Sequence, residues 1–419
     1  MSKLQSDLEK KYINQYLSSV KLLIPKKSLT PKHLESLLLE NEEGVLKTVN
    51  IIIEIDSEKK FTEYFQVLVN HKFSYMFTKR LRLIASILLD KSLVSYGEYK
   101  LLFPTCAYEY LTTDCCGKFI TEDKKEEAEE FTRVYSRAKH GSLKDIRMLA
   151  RYVVEVFKIE LDKGNTSLAN IFKSAELNNE VIVLLVPGSR NIESASNVIF
   201  DIALKSINIF LANIGMPTII NVKLPRLDPP VENYASLSLI ERERISATQD
   251  HVLPDMNFYH NRKVHILFGD DVLITGATAD KVKKQALMNG AISFHSLYAV
   301  VIDPVVVLKN PSIEEKLNVT AISGRLCKDI FSIFNQDDFI PVMKTYNIIL
   351  SLNSSVELIL FLENIPLKSV MKIYIYAMGN GYLNHKKYKK HLHIVRSYLI
   401  ENNYLLQNGL IIEERILSE

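Results

Sequence analysis

The sequence has few of the residues and runs that mark secreted, zinc-binding or membrane-spanning proteins. Its four cysteines, two of them adjacent at Cys115 and Cys116, are too few for a disulfide framework, and they lack the spacing of a structural zinc site. The opening residues are polar and charged, which predicts no signal peptide. The longest apolar stretch, residues 348–362, is interrupted by polar side chains, so no membrane span is expected. We therefore expect a soluble, reduced, cytoplasmic protein without a membrane partner.

The charge balance gives no sign of a dedicated nucleic-acid binder. Lysine and arginine total 52 against 49 aspartates and glutamates, and the net charge of +3 is too small to indicate a polyanionic partner by itself. Hydrophobic residues make up 47% and charged residues 24%, which is typical of a globular protein with a substantial core. The length of 419 residues favours two or three domains over one.

The chain changes character twice, which predicts three regions. Residues 1–110 hold apolar residues at helical spacing and only two glycines, so we expect residues 1–125 to form an N-terminal helical domain that acts as a scaffold or partner-binding surface. Residues 126–310 alternate strand-like and helical segments, and residues 311–419 return to helical patterns. A protein or nucleic-acid partner would bind through the helical regions, and an oligomer is compatible with this organisation.

Four short apolar runs separated by helical stretches predict a doubly wound, mainly parallel α/β sheet. The first run, Val181–Val186, is continuous and rich in β-branched residues, as expected for a strand buried on both faces. The other predicted strands are Thr218–Val222, Val264–Phe268 and Ser296–Ile302. Ligands of such sheets bind at the carboxyl ends of the strands, so the chemistry is expected in the loops after Val186 and Phe268.

The residues after the third predicted strand carry the clearest chemical signal. Asp270 and Asp271 are adjacent carboxylates, suited to accept hydrogen bonds from a vicinal diol or to help hold a hydrated divalent cation. Residues 275–278, Thr-Gly-Ala-Thr, open the next helix, where small residues, hydroxyls and the helix dipole favour a phosphate. A diol clamp beside a phosphate cradle describes a ribose 5-phosphate. Adjacent buried aspartates repel each other unless a ligand or cation uses them.

This segment resembles the phosphoribosyl-pyrophosphate (PRPP) motif of type I phosphoribosyltransferases. The resemblance implies that the two aspartates bind the ribose hydroxyls and that the 5′-phosphate is bound by Thr275, Gly276, Ala277 and Thr278. It also implies a pyrophosphate-binding loop after the first strand, formed by Gly188, Ser189 and Arg190. The implied catalytic residues are Asp270, Asp271 and Arg190. PRPP is the implied substrate or ligand, and the implied cofactor is Mg²⁺, held by the two aspartates directly or through water.

A long polar segment before the acidic strand lies where these enzymes have a mobile hood that closes on the reacting complex. Its candidate residues are Tyr234, Arg242 and Arg244, and the two arginines have the charge and length to reach a pyrophosphate. A solvated helix with alternating glutamate and arginine explains the pattern equally well.

Residues 130–400 are also similar to a divergent bacterial branch of this fold, found near tellurite-resistance and phage-defence gene clusters. The shared elements are Tyr135–Gly141, Tyr234–Arg242 and Gly379–Tyr382. One position departs from the 6-oxopurine enzymes: Ile274 stands where they have an aspartate that acts on the purine, so that substrate class is disfavoured.

Two functions stay open at this point. The first is an enzyme that transfers or removes ribose 5-phosphate on a nucleobase or nucleotide, including an effector that consumes nucleotides during phage infection. The second is a non-catalytic module that senses PRPP or a nucleotide and whose helical regions engage a partner.

Overall fold

We describe the protein from a computed structural model, which covers residues 106–412 with several gaps. The largest gap is 225–252, and the others are 122–127, 165, 189–192, 261–262, 275, 304–305, 308–309, 311, 323–325, 327, 337–338 and 351–353. The predicted N-terminal helices therefore lie almost wholly outside the described residues.

The centre of the fold is a six-stranded sheet. Its strands are β1 (Cys106–Thr113), β2 (Phe119–Thr121), β3 (Val181–Pro187), β4 (Ile219–Leu224), β5 (Val264–Leu273) and β6 (Ser293–Ile302). Their order across the sheet is β2-β1-β6-β5-β3-β4, and every neighbouring pair is parallel except β1 with β2. This confirms the predicted α/β class with a mainly parallel sheet.

Two strands were not expected from the sequence. The interpretation of residues 1–110 as helical is wrong for 106–110, which begin β1, and the predicted domain boundary at residue 126 is too late for the sheet. Strand β1 forms because Cys106–Thr113 pairs in parallel with β6, from Cys106 opposite Leu297 to Leu111 opposite Ile302. A partner strand nearly 200 residues away gives no local signal.

Helices cover both faces of the sheet. They are α1 (Glu129–Lys139), α2 (Leu143–Asp162), α3 (Ser167–Asn178), α4 (Ala195–Asn213), α5 (Met256–His260) and α6 (Ala277–Met288). Helices α1–α4 share one apolar core with one face of the sheet, and α5 and α6 pack in the core on the other face. Strands buried on both sides explain why the predicted runs are apolar throughout rather than alternating.

Helix α4 is long and apolar enough, by composition alone, to cross a membrane, and it is the one helix of the described residues that meets this test. Its buried residues, which include Phe200, Ala203 and Ile207, pack in the core beside the sheet. The central helix of an α/β domain has this same composition.

The C-terminal part of the described chain is helical, with its own apolar core. The helices are α7 (Ile313–Asn318), α8 (Lys328–Phe334), α9 (Met343–Ile349), α10 (Ser355–Glu363), α11 (Leu367–Gly379) and α12 (Lys389–Glu401), with a 3₁₀ turn at Tyr382–Asn384. Helix α7 packs in the core of the α/β part, and the second core begins at Ala321.

The segment Tyr135–Gly141 joins the two parts. The Ser136 hydroxyl donates to the Asn318 carbonyl and accepts the backbone N–H groups of Ala321 and Ile322 at 3.1 and 3.3 Å. At the end of α1, the Gly141 carbonyl accepts the N–H of Ile340 at 3.0 Å. Backbone groups of the C-terminal helical region are thus satisfied by α1 of the α/β part, which fixes the two parts to each other at this helix.

Replacing Gly141 by alanine should destabilise the protein strongly. Gly141 has φ +94°, and a Cβ there would lie 2.1 Å from the Ile340 carbonyl oxygen, so the backbone has to move. We expect the free energy of unfolding to fall by roughly 3 kcal/mol or more. Chemical denaturation of the full chain measures it.

The matched control is Gly215→Ala, because Gly215 also has positive φ, +74°, but nothing lies within 4 Å of its added Cβ. That variant should lose only the conformational cost of about 1–2 kcal/mol. Equal losses in the two variants would show that the contact with Ile340 does not hold the parts together.

Candidate functional site

The adjacent carboxylates lie at the topological switch point of the sheet. Strands β3 and β5 are parallel neighbours, and the chain winds from them in opposite directions, toward β4 and toward β6. Such a point is where ligands of doubly wound sheets bind. Gly188, just after β3, and Asp270–Asp271 therefore lie at the same edge.

The sequence predicted that the acidic pair follows its strand, but both aspartates lie within β5. Strand β5 continues to Leu273 because β6 pairs with it that far, whereas pairing with β3 ends where Leu185 meets Phe268. The two aspartates thus stay within β5 beside β6, beyond the part of β5 that pairs with β3.

Helix α4 provides the first contact to the pair. The Ser196 hydroxyl, in its first turn, lies 2.7 Å from Asp270 Oδ1 and 3.1 Å from Asp271 Oδ1. One turn later on the same side, Phe200 packs over Gly269, where an added Cβ would lie 2.7 Å from the ring. The missing side chain at Gly269 lets α4 approach β5 closely enough for Ser196 to reach the carboxylates.

Helix α1 provides the second contact, and the sequence analysis assigned it no site residue. The Lys139 ammonium lies 2.6 Å from Asp271 Oδ2, and the Tyr135 hydroxyl donates to the same oxygen at 3.0 Å. Tyr135 is fully buried, and the side chains of Lys139 and Asp271 are 16% and 3% exposed. The signal in the sequence was the spacing of Tyr135 and Lys139, which puts both on one side of a helix.

The two neighbouring carboxylates have opposite electrostatic environments. Burial, together with the adjacent charge of Asp271, raises the pKa of Asp270 to about 7. Burial is the largest influence on Asp271 and acts to raise its pKa, but the charge of Lys139 and the hydrogen bonds from Lys139, Asp270 and Tyr135 together outweigh it, and the pKa is lowered. Burial likewise opposes charge on Lys139, and the acidic neighbours Asp271, Glu314 and Asp270 together overcome it and raise the pKa of the lysine.

The hydrogen bonds of Ser196 fit this difference between the pKa values of the two aspartates. Ser196 has one hydroxyl proton and lies within hydrogen-bond distance of both carboxylates, so it can donate to only one of them. If Asp270 carries a proton, it donates to Ser196, which donates to Asp271. All three groups are then satisfied, and the negative charge stays next to Lys139.

The predicted phosphate loop is partly described. Gly276 has φ +72°, a left-handed conformation, and it is the N-cap of α6, so the loop opens a 12-residue helix as the sequence predicted. Thr278 lies in the first turn of that helix, while Thr275 and the Ala277 side chain are outside the described part. Ile274 is buried in the core and has no group that exchanges a proton with a base.

The predicted pyrophosphate loop is described only at its start. Gly188 packs against Asn197 of α4, whose amide nitrogen donates to the Pro187 carbonyl at 3.2 Å. The loop therefore leads to the N-terminus of a 19-residue helix, a favourable place for an anion. Ser189, Arg190 and the hood residues Tyr234, Arg242 and Arg244 lie outside the described residues.

The residues around the acidic pair do not suit a resident Mg²⁺. Both hydrogen bonds to Asp271 Oδ2 come from protein donors, and one of these donors is already a cation, Lys139. Among the described residues, no group of three or more histidine, cysteine or carboxylate side chains is placed to hold a metal ion. The donor set of the pair therefore fits hydroxyl groups better than a divalent cation.

Single substitutions of the two aspartates should change stability in opposite directions at pH 8. Asp270→Asn replaces a carboxyl whose pKa rises on folding from 3.8 to about 7. The native state keeps that proton longer than the unfolded state, so wild type loses stability as pH rises between about 4 and 7. The asparagine variant lacks this loss, so its free energy of unfolding relative to wild type should increase over that range and then level off.

Asp271→Asn should instead be destabilising by about 3–5 kcal/mol, because it leaves the Lys139 ammonium buried without its partner. Denaturant unfolding at pH 4, 6 and 8 measures both variants, with Asp162→Asn on the surface as the control for losing a carboxylate. The same sign for both would contradict the electrostatic asymmetry.

Comparison with known proteins identifies the family of the chain. A family model described as PRTase ComF-like matches residues 121–395, more than half of the chain. The match includes α1, the acidic pair and most of the C-terminal helices. No curated protein matches the chain. The chain therefore belongs to the ComF-like phosphoribosyltransferase family.

Proposed function

We propose that this phosphoribosyltransferase-type protein binds PRPP and transfers ribose 5-phosphate to a nucleobase, or removes it from a nucleotide in the reverse direction. The observation that carries the proposal is the acidic pair at the switch point, with a left-handed glycine opening a helix five residues after Asp271. A vicinal diol and a phosphate on one pentose fit this spacing of acceptors and helix N-terminus.

The proposed reaction is a displacement at C1 of the ribose. The bond from C1 to the pyrophosphate oxygen breaks and its electron pair leaves with pyrophosphate, while a ring nitrogen of the acceptor forms the new bond to C1 and gives up its proton to the departing pyrophosphate or to water. Asp270 and Asp271 accept the ribose hydroxyls and stabilise positive charge on the ring. Gly276 and Thr278 bind the 5′-phosphate with Thr275 and Ala277.

The departing pyrophosphate is assigned to the loop after β3. Gly188 and the N-terminus of α4 are oriented toward the same edge as the pair, and Ser189 and Arg190 continue that loop. Arg190 is the proposed partner of the leaving group, because a guanidinium meets a phosphate with two hydrogen bonds. Closure of the hood by Tyr234, Arg242 and Arg244 is part of the same proposal.

A second candidate is a sensor that binds the same ligand without turnover. Two contacts of α1 favour the sensor, since Lys139 of this helix binds the acidic pair and Ser136 of the same helix binds the C-terminal helical region. Ligand binding at the pair can then be transmitted to the helical region. Assays of pyrophosphate release with a panel of bases, and of nucleotide cleavage, separate the two candidates.

The resemblance to the defence-associated branch extends the proposal to a cytoplasmic effector that consumes nucleotides during phage infection. Two exposed free thiols, Cys115 and Cys116, suit a reducing compartment. Nucleotide pools measured after infection, with and without the intact acidic pair, test this extension.

Removing the acidic pair should abolish PRPP binding. Each hydrogen bond to a charged acceptor contributes roughly 1.5–3 kcal/mol, so Asp270→Asn should weaken binding about 10- to 150-fold and the double variant by two to four orders of magnitude. Calorimetric titration with PRPP gives the affinities, and melting curves show whether each variant is folded.

The matched control is Asp303→Asn. Asp303 is also a buried carboxylate, but it accepts the Thr112 hydroxyl at 3.0 Å and lies outside the pair. This control should bind PRPP with wild-type affinity. Unchanged affinity in folded Asp270→Asn would overturn the assignment of the pair to the ribose.

A further inference from the structure

We propose that Lys139 is a built-in counter-cation of the acidic pair, so that the site binds its ribose phosphate without a divalent metal. The inference rests on the proposed function and concerns how the same site recognises its ligand. It makes Lys139 a positioning residue, which acts on the ligand through Asp271.

The Lys139 ammonium is in direct contact with the acidic pair. Lys139 Nζ lies 2.6 Å from Asp271 Oδ2, which is the distance of a direct, charge-assisted hydrogen bond. Tyr135 donates to the same oxygen, and its ring lies 5.7 Å from the ammonium. Helix α1 therefore supplies two donors, the Lys139 ammonium and the Tyr135 hydroxyl, to Oδ2 of Asp271 before any ligand arrives.

Burial makes this contact hard to exchange. Displacing Lys139 by a metal ion would leave an ammonium with 16% exposure unpaired beside a second cation. The repulsion between Mg²⁺ and a buried ammonium a few ångströms away opposes metal binding at Asp271. Lys139 therefore stays paired with Asp271 and supplies the positive charge at the acidic pair.

Lys139 leaves only some carboxylate oxygens of the pair able to accept from a ligand. Oδ2 of Asp271 has two donors, and Oδ1 of Asp270 accepts the Asp271 N–H at 2.9 Å and lies 2.7 Å from the Ser196 hydroxyl, so the oxygens left for a ligand are Oδ1 of Asp271 and Oδ2 of Asp270. These oxygens accept from hydroxyl groups without further charge compensation. A ribose diol fits this set directly.

The test has one arm with the metal alone. Binding of Mn²⁺ is followed by electron paramagnetic resonance in wild type, Lys139→Met and Lys139→Arg, without any sugar. We expect wild type and Lys139→Arg to bind no Mn²⁺ at the pair below millimolar concentration. Lys139→Met should bind it at least about tenfold more tightly, and Asp270→Asn should abolish that gain.

The second arm uses ribose 5-phosphate, which lacks the pyrophosphate that chelates metals. Wild type should bind it with the same affinity in EDTA and in Mg²⁺, while Lys139→Met should bind at least about tenfold more weakly in EDTA and recover with Mg²⁺. Lys139→Arg keeps the charge and should behave as wild type.

The outcomes separate the two proposals. Wild-type binding that requires Mg²⁺, or tight Mn²⁺ binding to the wild-type pair, would overturn the counter-cation. A Lys139→Met variant that loses stability but shows no new dependence on metal would also overturn it, as a purely structural ion pair predicts. Absence of ribose 5-phosphate and PRPP binding in every condition would overturn the proposed function, while the Mn²⁺ arm would still decide whether Lys139 replaces a metal.

Discussion

Two adjacent carboxylates cannot be enclosed in a parallel sheet unless their charge is balanced, and this constraint organises the surrounding structure. One charge is balanced by Lys139, and the pKa of Asp270, raised to about 7, lowers the ionised share of the other near neutral pH, with the Ser196 hydroxyl within hydrogen-bond distance of both carboxylates. Each solution brings a helix to the edge of the sheet: α1 carries the lysine and α4 carries the serine. The site is therefore a product of charge compensation as much as of strand order.

The close approach of α4 depends on one residue without a side chain. Gly269 precedes the acidic pair in β5, and the Phe200 ring fills the space that a Cβ would take. A larger residue would push α4 away from the strand and take Ser196 out of reach of both carboxylates. Glycine here serves packing rather than a turn, which is a different use from that of Gly276 at the start of α6.

Much of the sheet could be predicted because its central strands carry their signal locally. Val181–Pro187 and Ser293–Ile302 are buried on both faces, so burial itself dictates continuous apolar runs. The acidic pair and Gly276 could be found for a similar reason, since residues close together in the sequence form the motif. Strand β1 could not, because its stability comes from pairing with β6 far along the chain.

Lys139 and Ser196 show a second limit of sequence analysis. Each meets the aspartates through the packing of a helix on the sheet, and the chain distances to Asp271 are 132 and 75 residues. The spacing of Tyr135 and Lys139 indicates a shared side of a helix but not what that side contacts. Only the arrangement of α1 against β5 turns the motif into part of the site.

The Ser136 hydroxyl has a consequence for how this fold can be divided. It binds three backbone groups of the chain between residues 318 and 322, one as a donor and two as an acceptor, while the same helix contacts Asp271 through Lys139. A fragment that ended at residue 310 would keep every strand of the sheet yet lose the anchor of α1. The sheet and the C-terminal helices thus form one structural unit, and changing the helices would disturb the surroundings of the acidic pair as well.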